Sequence, residues 1–164
     1  MKLLFNIEPH LTLRKYQKTL YTRISSKKIF HILEEIGMPK GRKTNLMIPA
    51  WIKDNPEHFI TFIKGLFDTD GSVIIRKRGQ HSVSLSLKNK EIILDIKLFL
   101  EKLGYFVSYY EDNQQDKRGF SSTVYCIRIN RKSLIKKFWR EIGSSNPYKI
   151  KRFEKLARSG DAGI

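Results

Sequence analysis

Apolar residues recur along the chain at two different intervals, which predicts a mixture of helices and strands. After Asn55 the interval is three to four residues, typical of one helix face, and the apolar positions are Phe59, Ile60, Ile63, Leu66 and Phe67. Asn55 is suited to cap this helix and Pro56 to occupy its first position. The helix is predicted to end at Asp70, because Gly71 and a strand-like segment follow.

Two strands are predicted after this helix, over residues 72–78 and 82–88. In the second strand small polar and apolar residues alternate, so one side would face the core and the other would be polar. Another helix, two more strands and a third helix follow. Residues 53–143 therefore predict the order αββαββα around a half-buried antiparallel sheet.

The chain contains an internal echo of this pattern. Residues 4–37 and 103–143 each run strand, turn, strand, helix, and both helices close on Ile-Gly, where glycine suits the residue after a helix. The predicted fold class is α+β. A partial first repeat (ββα) and linker would occupy 1–52, a complete unit with a basic C-terminal helix 53–158, and a frayed tail 159–164.

Charge narrows the choice of partner. The 164 residues include 32 Lys and Arg against 16 Asp and Glu, a net charge of +16, so a polyanion is the expected partner. No apolar run is long enough to span a bilayer, and the start turns polar too soon for a signal peptide. Cys126 is predicted to be a buried filler, and no zinc-ligand spacing is present. An intracellular, reducing location is expected.

A candidate for chemistry lies at the end of the helix, where Asp68 and Asp70 precede Gly71. A helix C-terminus carries partial negative charge, so carboxylates there cost stability unless a cation is present. Carboxylate and carbonyl oxygens suit Mg²⁺. The alternative is an ordinary surface turn of the Asp-x-Asp-Gly type.

The segment Ile63-Lys-Gly-Leu-Phe-Asp-Thr-Asp-Gly71 resembles the LAGLIDADG motif of homing endonucleases. Lys64 departs from the small residue expected at its position. The resemblance extends further, because Ile48-Pro-Ala-Trp-Ile52 is similar to the linker before the second motif of two-motif members, and Gly143-Ser-Ser-Asn-Pro147 is similar to their ending.

The resemblance implies a paired active site. In that family two motif helices pack through small residues, here Gly65 and Gly71, and each helix ends in one essential acid. Asp70 would be the catalytic acid and metal ligand, the carbonyl of Thr69 would bind the same ion, and Mg²⁺ or Mn²⁺ would be the cofactor. Two metal ions held in this way can activate water and stabilise the leaving oxygen.

The resemblance also implies basic residues near the scissile phosphate. Lys43 lies in the matching position for the first unit and Lys149 for the second, with Lys151 as a rival. Their chemistry would be support of transition-state charge. The alternative is that they are solvated lysines among many.

Strand parity predicts the residues that read double-stranded DNA, because a two-stranded ribbon enters the major groove and Arg and Gln pair with guanine and adenine. The predicted set is Ile74, Arg76, Arg78, Gln80, Ser84, Ser86 and Lys88 after the motif, His10, Thr12, Arg14, Tyr21 and Arg23 in the first echo, and Arg128 and Asn130 in the second.

The chain shows one motif, so the second acid is expected from a homodimer or from a partner chain, unless the sequence is a piece of a two-motif enzyme. We do not expect a complete intein in the sequence as given, since no splicing residues stand at its ends. We expect a metal-dependent, site-specific DNA endonuclease. The rival hypotheses are a maturase or transcription regulator that has lost cutting, and a basic RNA- or ribosome-binding protein.

Overall fold

The computed structural model describes residues 6–13, 20–38, 46–76, 80–115, 119 and 121–158. The chain forms two compact units, 1–44 and 45–164. The domain limits drawn from the sequence, at residues 52 and 158, stay predictions. Within the described part, no helix is long and apolar enough to cross a lipid bilayer.

The first unit has the predicted order of two strands and a helix. Strands β1 (His10–Leu13) and β2 (Leu20–Arg23) pair antiparallel, and helix α1 (Lys27–Glu35) follows. The hydroxyl of Ser26 caps α1 by accepting from the Ile29 amide at 3.3 Å.

The second unit contains the complete predicted unit and one short helix before it. In chain order its elements are α2 (Ala50–Lys53), α3 (Pro56–Asp70), β3 (Gly71–Ile74), β4 (Ser82–Leu87), α4 (Lys90–Lys102), β5 (Ser108–Gln115), β6 (Ser121–Ile129), α5 (Lys132–Glu141) and α6 (Pro147–Arg158). From α3 to α5 the order is αββαββα, so the predicted fold is confirmed. Strand β3 is shorter than expected, ending at Ile74 rather than Arg78.

Strands β3 to β6 form one antiparallel sheet in the order β3-β4-β6-β5. One face carries apolar residues of the core, among them Val73, Val83 and Ile127, and helices α3, α4, α5 and α6 contribute most of the rest. Ile63, Phe67, Ile93, Ile96, Leu100 and Val73 are the most completely buried side chains. Burial of each such side chain stabilises the fold by about 1.5–3 kcal/mol, which fixes the end of α3 against the sheet.

Candidate functional site

Helix α3 delivers its last residues to the edge of the sheet. Asn55 caps its first turn, accepting from the amides of Glu57 at 2.9 Å and His58 at 3.2 Å, as predicted. The helix ends at Asp70, and the amide of Gly71 donates to the carbonyl of Phe67. Strand β3 begins at once, so Asp70 lies at the junction of helix and strand.

Gly71 allows this direct turn because it has no side chain. A Cβ built there would lie 2.1 Å from Cδ2 of Phe67 and 2.6 Å from its carbonyl oxygen. The backbone is in the extended region, with φ −78° and ψ 159°, so the requirement is space and not backbone conformation. The absence of a side chain at Gly71 thus permits close packing against Phe67 in α3 of the same chain.

The carboxylate of Asp70 is exposed, and the hydroxyl of Thr69 donates to its Oδ2 at 2.7 Å. Oxygen donors of this kind fit a hard divalent cation. Among the described residues, no group of three or more His, Cys, Asp or Glu is placed to hold a metal ion.

Asp68 points away from that surface, toward the turn before α6. Its Oδ1 accepts from the hydroxyl of Ser144 and, at 2.9 and 3.3 Å, from the amides of Ser145 and Asn146. Burial acts to raise the pKa of Asp68, but these hydrogen bonds and the charge of Lys149 outweigh it, so the net pKa is lowered. Asp68 is an ionised anchor between distant parts of the chain.

Lys149 is 6% exposed and lies under the end of α3. Its ammonium donates to the carbonyl of Phe67 and lies 5.0 Å from the centre of the Phe67 ring. Burial lowers the pKa of Lys149, while the carboxylates of Asp68 and Asp70 oppose that change. The family resemblance implied a position for Lys149 near the scissile phosphate, and in this structure its ammonium lies on the backbone beneath Asp70. Lys43 lies outside the described residues.

One side of α3 is left uncovered by the rest of its own unit. His58, Thr61, Gly65 and Thr69 are exposed and recur at helical spacing, so they share one face. Among the described residues, no atom would lie within 4 Å of a Cβ at Gly65. The close approach of another helix at Gly65, which the resemblance implied, stays a prediction.

The polar face of the sheet carries a row of residues that crosses all four strands. Ser72, Ser84, Arg128 and Ser108 are opposite one another in register. In this row Ser84 is only 8% exposed, Arg128 is half-buried and Ser72 is exposed. Cys126, in the next row, is buried as predicted.

Arg128 is held by a residue that sequence reasoning missed. Its Nη2 donates to the hydroxyl of Tyr110, and its guanidinium lies 4.9 Å from the centre of the Tyr110 ring. Among the described side chains, Arg128 Nε is the one buried polar atom without a hydrogen-bond partner. The alternation of Ser108, Tyr110 and Asp112 on β5 could have indicated this neighbour, because it places them on the polar face.

Several of the residues predicted to contact DNA bases line one hollow on the polar face of the sheet. Arg76, Gln80, Arg128 and Asn130 line it together with His81 and Ser82. His81 was not predicted; its Nδ1 accepts from the Arg76 amide at 3.4 Å. Of the remaining predicted residues of this sheet, Ile74 and Ser86 are half-buried and Lys88 is exposed. Arg78 lies outside the described residues.

In the first unit, the predicted readers lie on one side of a two-stranded ribbon. His10 is opposite Arg23 and Thr12 opposite Tyr21, and all four are exposed. Directly opposed residues of antiparallel strands share a face. Arg14 lies outside the described residues.

A helix that ends in an exposed acid, an antiparallel sheet with a basic polar face and an open helix side with a central glycine define a known class. The profile of the LAGLIDADG-like domain matches residues 59–143, from the buried face of α3 to the end of α5. The chain belongs to the LAGLIDADG homing endonuclease family.

Two relatives show the range of proteins that contain similar sequence. Homing endonuclease I-ApeI of Aeropyrum pernix is 32% identical over 148 residues, covering 87% of this chain and 63% of I-ApeI. The tRNA-splicing ligase RtcB of Pyrococcus furiosus is 30% identical over 132 residues, covering 73% of this chain but only 13% of the ligase. The chain thus spans less than two thirds of either relative.

Solved structures of I-DmoI share the fold. I-DmoI in complex with DNA and Mn superposes with a TM-score of 0.57 at 25% identity, covering 88% of this chain and 68% of I-DmoI. A variant of I-DmoI with its target DNA in the presence of Mg gives a TM-score of 0.56 at 24% identity. At that identity the second comparison bears on the fold alone.

Proposed function

We propose that the chain is a site-specific endonuclease that hydrolyses both strands of DNA with a divalent metal ion. The observation that carries this proposal is Asp70, an exposed carboxylate at the end of a helix that packs on the core through one face, beside a polar, arginine-containing sheet face. A degenerate binding protein has no need of that acid. Membership of the homing endonuclease family supports the same chemistry.

Asp70 would bind the metal ion through its carboxylate, and Thr69 through its carbonyl. Mg²⁺ is the expected ion and Mn²⁺ an expected substitute, since hard cations take oxygen ligands. The bound ion would supply Lewis-acid activation of water and stabilise the leaving oxygen. The complex of I-DmoI with DNA and Mn supports the choice of a divalent cation. Lys43 remains a candidate for charge support at the phosphate.

DNA would lie along the polar face of the sheet. The charge of +16 favours the phosphate backbone. Arg76, Gln80, Arg128 and Asn130, which line one hollow, would contact base edges at the end of the sheet. In the first unit, the ribbon that carries His10, Thr12, Tyr21 and Arg23 is a second candidate contact. Ser84 is too deeply buried in the free chain to be a strong candidate.

A second acid is needed for the second strand, and we assign it to a second copy of the chain. The described residues leave the face of α3 around Gly65 uncovered, and Gly65 has no side chain. Two such helices would therefore pack closely about a two-fold axis. That arrangement would bring two Asp70 side chains together and favour a pseudo-palindromic site. A partner chain with its own motif would satisfy the same chemistry.

Selection of cleaved sites from a randomised duplex library tests the function directly. The purified chain is incubated with the library in Mg²⁺ and, separately, in chelator, and the ends produced are sequenced. We expect a defined site with staggered ends in Mg²⁺ alone. Specific binding without cutting in either condition would instead assign the chain to the inactive DNA-binding relatives of the family.

A further inference from the structure

The junction that carries Asp70 is held from below by one distant segment. Residues 144–152, the turn before α6 and its first half, contact both the end of α3 and the start of β3; we call this segment the clamp. At the start of the clamp, Ser144, Ser145 and Asn146 all donate to the carboxylate of Asp68. The first contacts of the clamp are thus made with Asp68, two residues before the proposed catalytic acid Asp70.

The side chain of Asn146 connects the end of α3 to the start of α6. Its Nδ2 donates to the Asp68 carbonyl at 3.0 Å, and its Oδ1 accepts from the Tyr148 amide at 3.0 Å. The first contact satisfies a carbonyl at the C-terminus of α3, and the second caps the N-terminus of α6. The position of α6 is therefore coupled to the backbone just before Asp70.

Two cations of α6 complete the clamp on either side of Asp70. Lys149 donates to the Phe67 carbonyl, three residues before Asp70, and Arg152 donates to the Val73 carbonyl, three residues after it. A cation at a helix C-terminus is stabilising because the last carbonyls carry partial negative charge. The backbone that carries Asp70 is thus fixed from both directions by the same helix.

The ammonium of Lys149 is buried where it donates to the Phe67 carbonyl. The side chain is 6% exposed, and Phe67, whose ring it covers, is 1% exposed. A lysine that touches a DNA phosphate must instead present its ammonium at the surface. Burial also lowers the pKa of Lys149, as expected for a side chain largely withdrawn from water.

We infer that Lys149 is a positioning residue, which orients Asp70 by holding the Phe67 carbonyl and does not contact the scissile phosphate. This inference rests on the proposed function for its effect on cleavage, but the clamp itself is open to test without DNA. It also differs from the role that the family resemblance implied for Lys149.

The test compares Lys149→Met with Lys155→Met, which removes an exposed lysine of the same helix. The first measurement is amide hydrogen exchange over residues 70–73 in the free protein. Loss of a charged hydrogen bond to the end of α3 is expected to speed exchange there by about tenfold in Lys149→Met. Lys155→Met should match the wild type. Unchanged exchange in Lys149→Met would overturn the inference, whether or not the protein cleaves DNA.

The second measurement separates positioning from phosphate contact. With the site found by selection, Lys149→Met should raise the Mg²⁺ concentration for half-maximal cleavage by about tenfold, as expected for a residue behind a metal ligand. The log–log salt dependence of DNA binding should keep its slope. A slope reduced by about 1 would mean that Lys149 neutralises a phosphate, and would overturn the inference.

Asn146→Ala provides a second variant in case Lys149→Met does not fold. It leaves the lysine in place and removes the bridge between the Asp68 carbonyl and α6. The same faster exchange over residues 70–73 is expected, with the salt slope unchanged. Wild-type exchange in Asn146→Ala would contradict the clamp. If the wild type cuts no DNA in any metal, the proposed function fails, and the exchange data still decide the role of the clamp.

Discussion

Gly71→Ala should destabilise the second unit, although alanine is compatible with the backbone conformation. The added Cβ would lie 2.1 Å from Cδ2 of Phe67 and 2.6 Å from its carbonyl oxygen. Phe67 cannot swing aside freely, because it is 1% exposed and its ring centre lies 5.0 Å from that of Phe138 and 6.1 Å from that of Phe153. Either the ring or the end of α3 has to shift.

The expected cost follows from two opposing effects. Overpacking of a well-packed core costs about 1–3 kcal/mol. Replacing glycine by alanine at an allowed conformation returns about 0.4–1 kcal/mol by restricting the unfolded chain. The net loss for Gly71→Ala is therefore about 1–2 kcal/mol in the free energy of unfolding. Because Asp70 is the preceding residue, cleavage should fall by more than the change in folded fraction explains.

Gly65→Ala is the matched control, since it makes the same chemical change within α3, six residues before Gly71. In the part of the chain that the structure describes, nothing lies within 4 Å of a Cβ at Gly65, so the helix should gain about 1 kcal/mol from the better propensity of alanine. The assay is urea unfolding of both variants, analysed by linear extrapolation at protein concentrations low enough to hold the chain monomeric. Equal stability of Gly71→Ala and the wild type, or loss of stability in Gly65→Ala, would refute the steric reasoning.

Three other outcomes test separate parts of the account. Gly65→Leu should weaken self-association in sedimentation experiments and lower cleavage together; full activity in a strict monomer would contradict the two-copy active site. Arg76→Ala should relax preference at one or two base pairs by about 1–3 kcal/mol in a binding-site selection, whereas uniform weakening over all sites would make it a phosphate contact. The pKa of Asp68 is lowered in the folded protein, so the stabilisation from its charge is present above about pH 4 and is lost as pH falls through the folded-state pKa. In acid titrations Asp68→Asn should lack this loss of stability. A pH profile identical to that of the wild type would contradict this expectation.

The sequence predicted the fold well where signals were local. Asn55, Pro56 and Gly71 marked the two ends of α3, and the alternation over residues 82–88 identified β4. The glycines after α1 and α5 were predicted as C-terminal caps, and Gly37 and Gly143 have the positive φ of such caps, at 100° and 67°. These features depend on neighbours within a turn or two, which a single sequence displays.

The support of the site could not be predicted in the same way. Ser144 lies 76 residues from Asp68 in the chain, and no local pattern pairs them. Parity placed Ser84 on the polar face but gave no measure of its burial beside Arg128. Similarly, the family resemblance implied that Lys149 lies near the scissile phosphate, yet only the packing of α6 beneath α3 shows that its ammonium is buried on a carbonyl.

The central claim is that Asp70 holds the metal ion that cuts DNA, and Asp70→Asn tests it most directly. The substitution keeps the shape of the side chain and removes its charge, while the sheet face and its arginines are unchanged. Cleavage of the selected site in Mg²⁺ should be abolished, with DNA affinity equal to or above that of the wild type. Cutting by Asp70→Asn at close to the wild-type rate, with the fold intact by circular dichroism, would contradict the account.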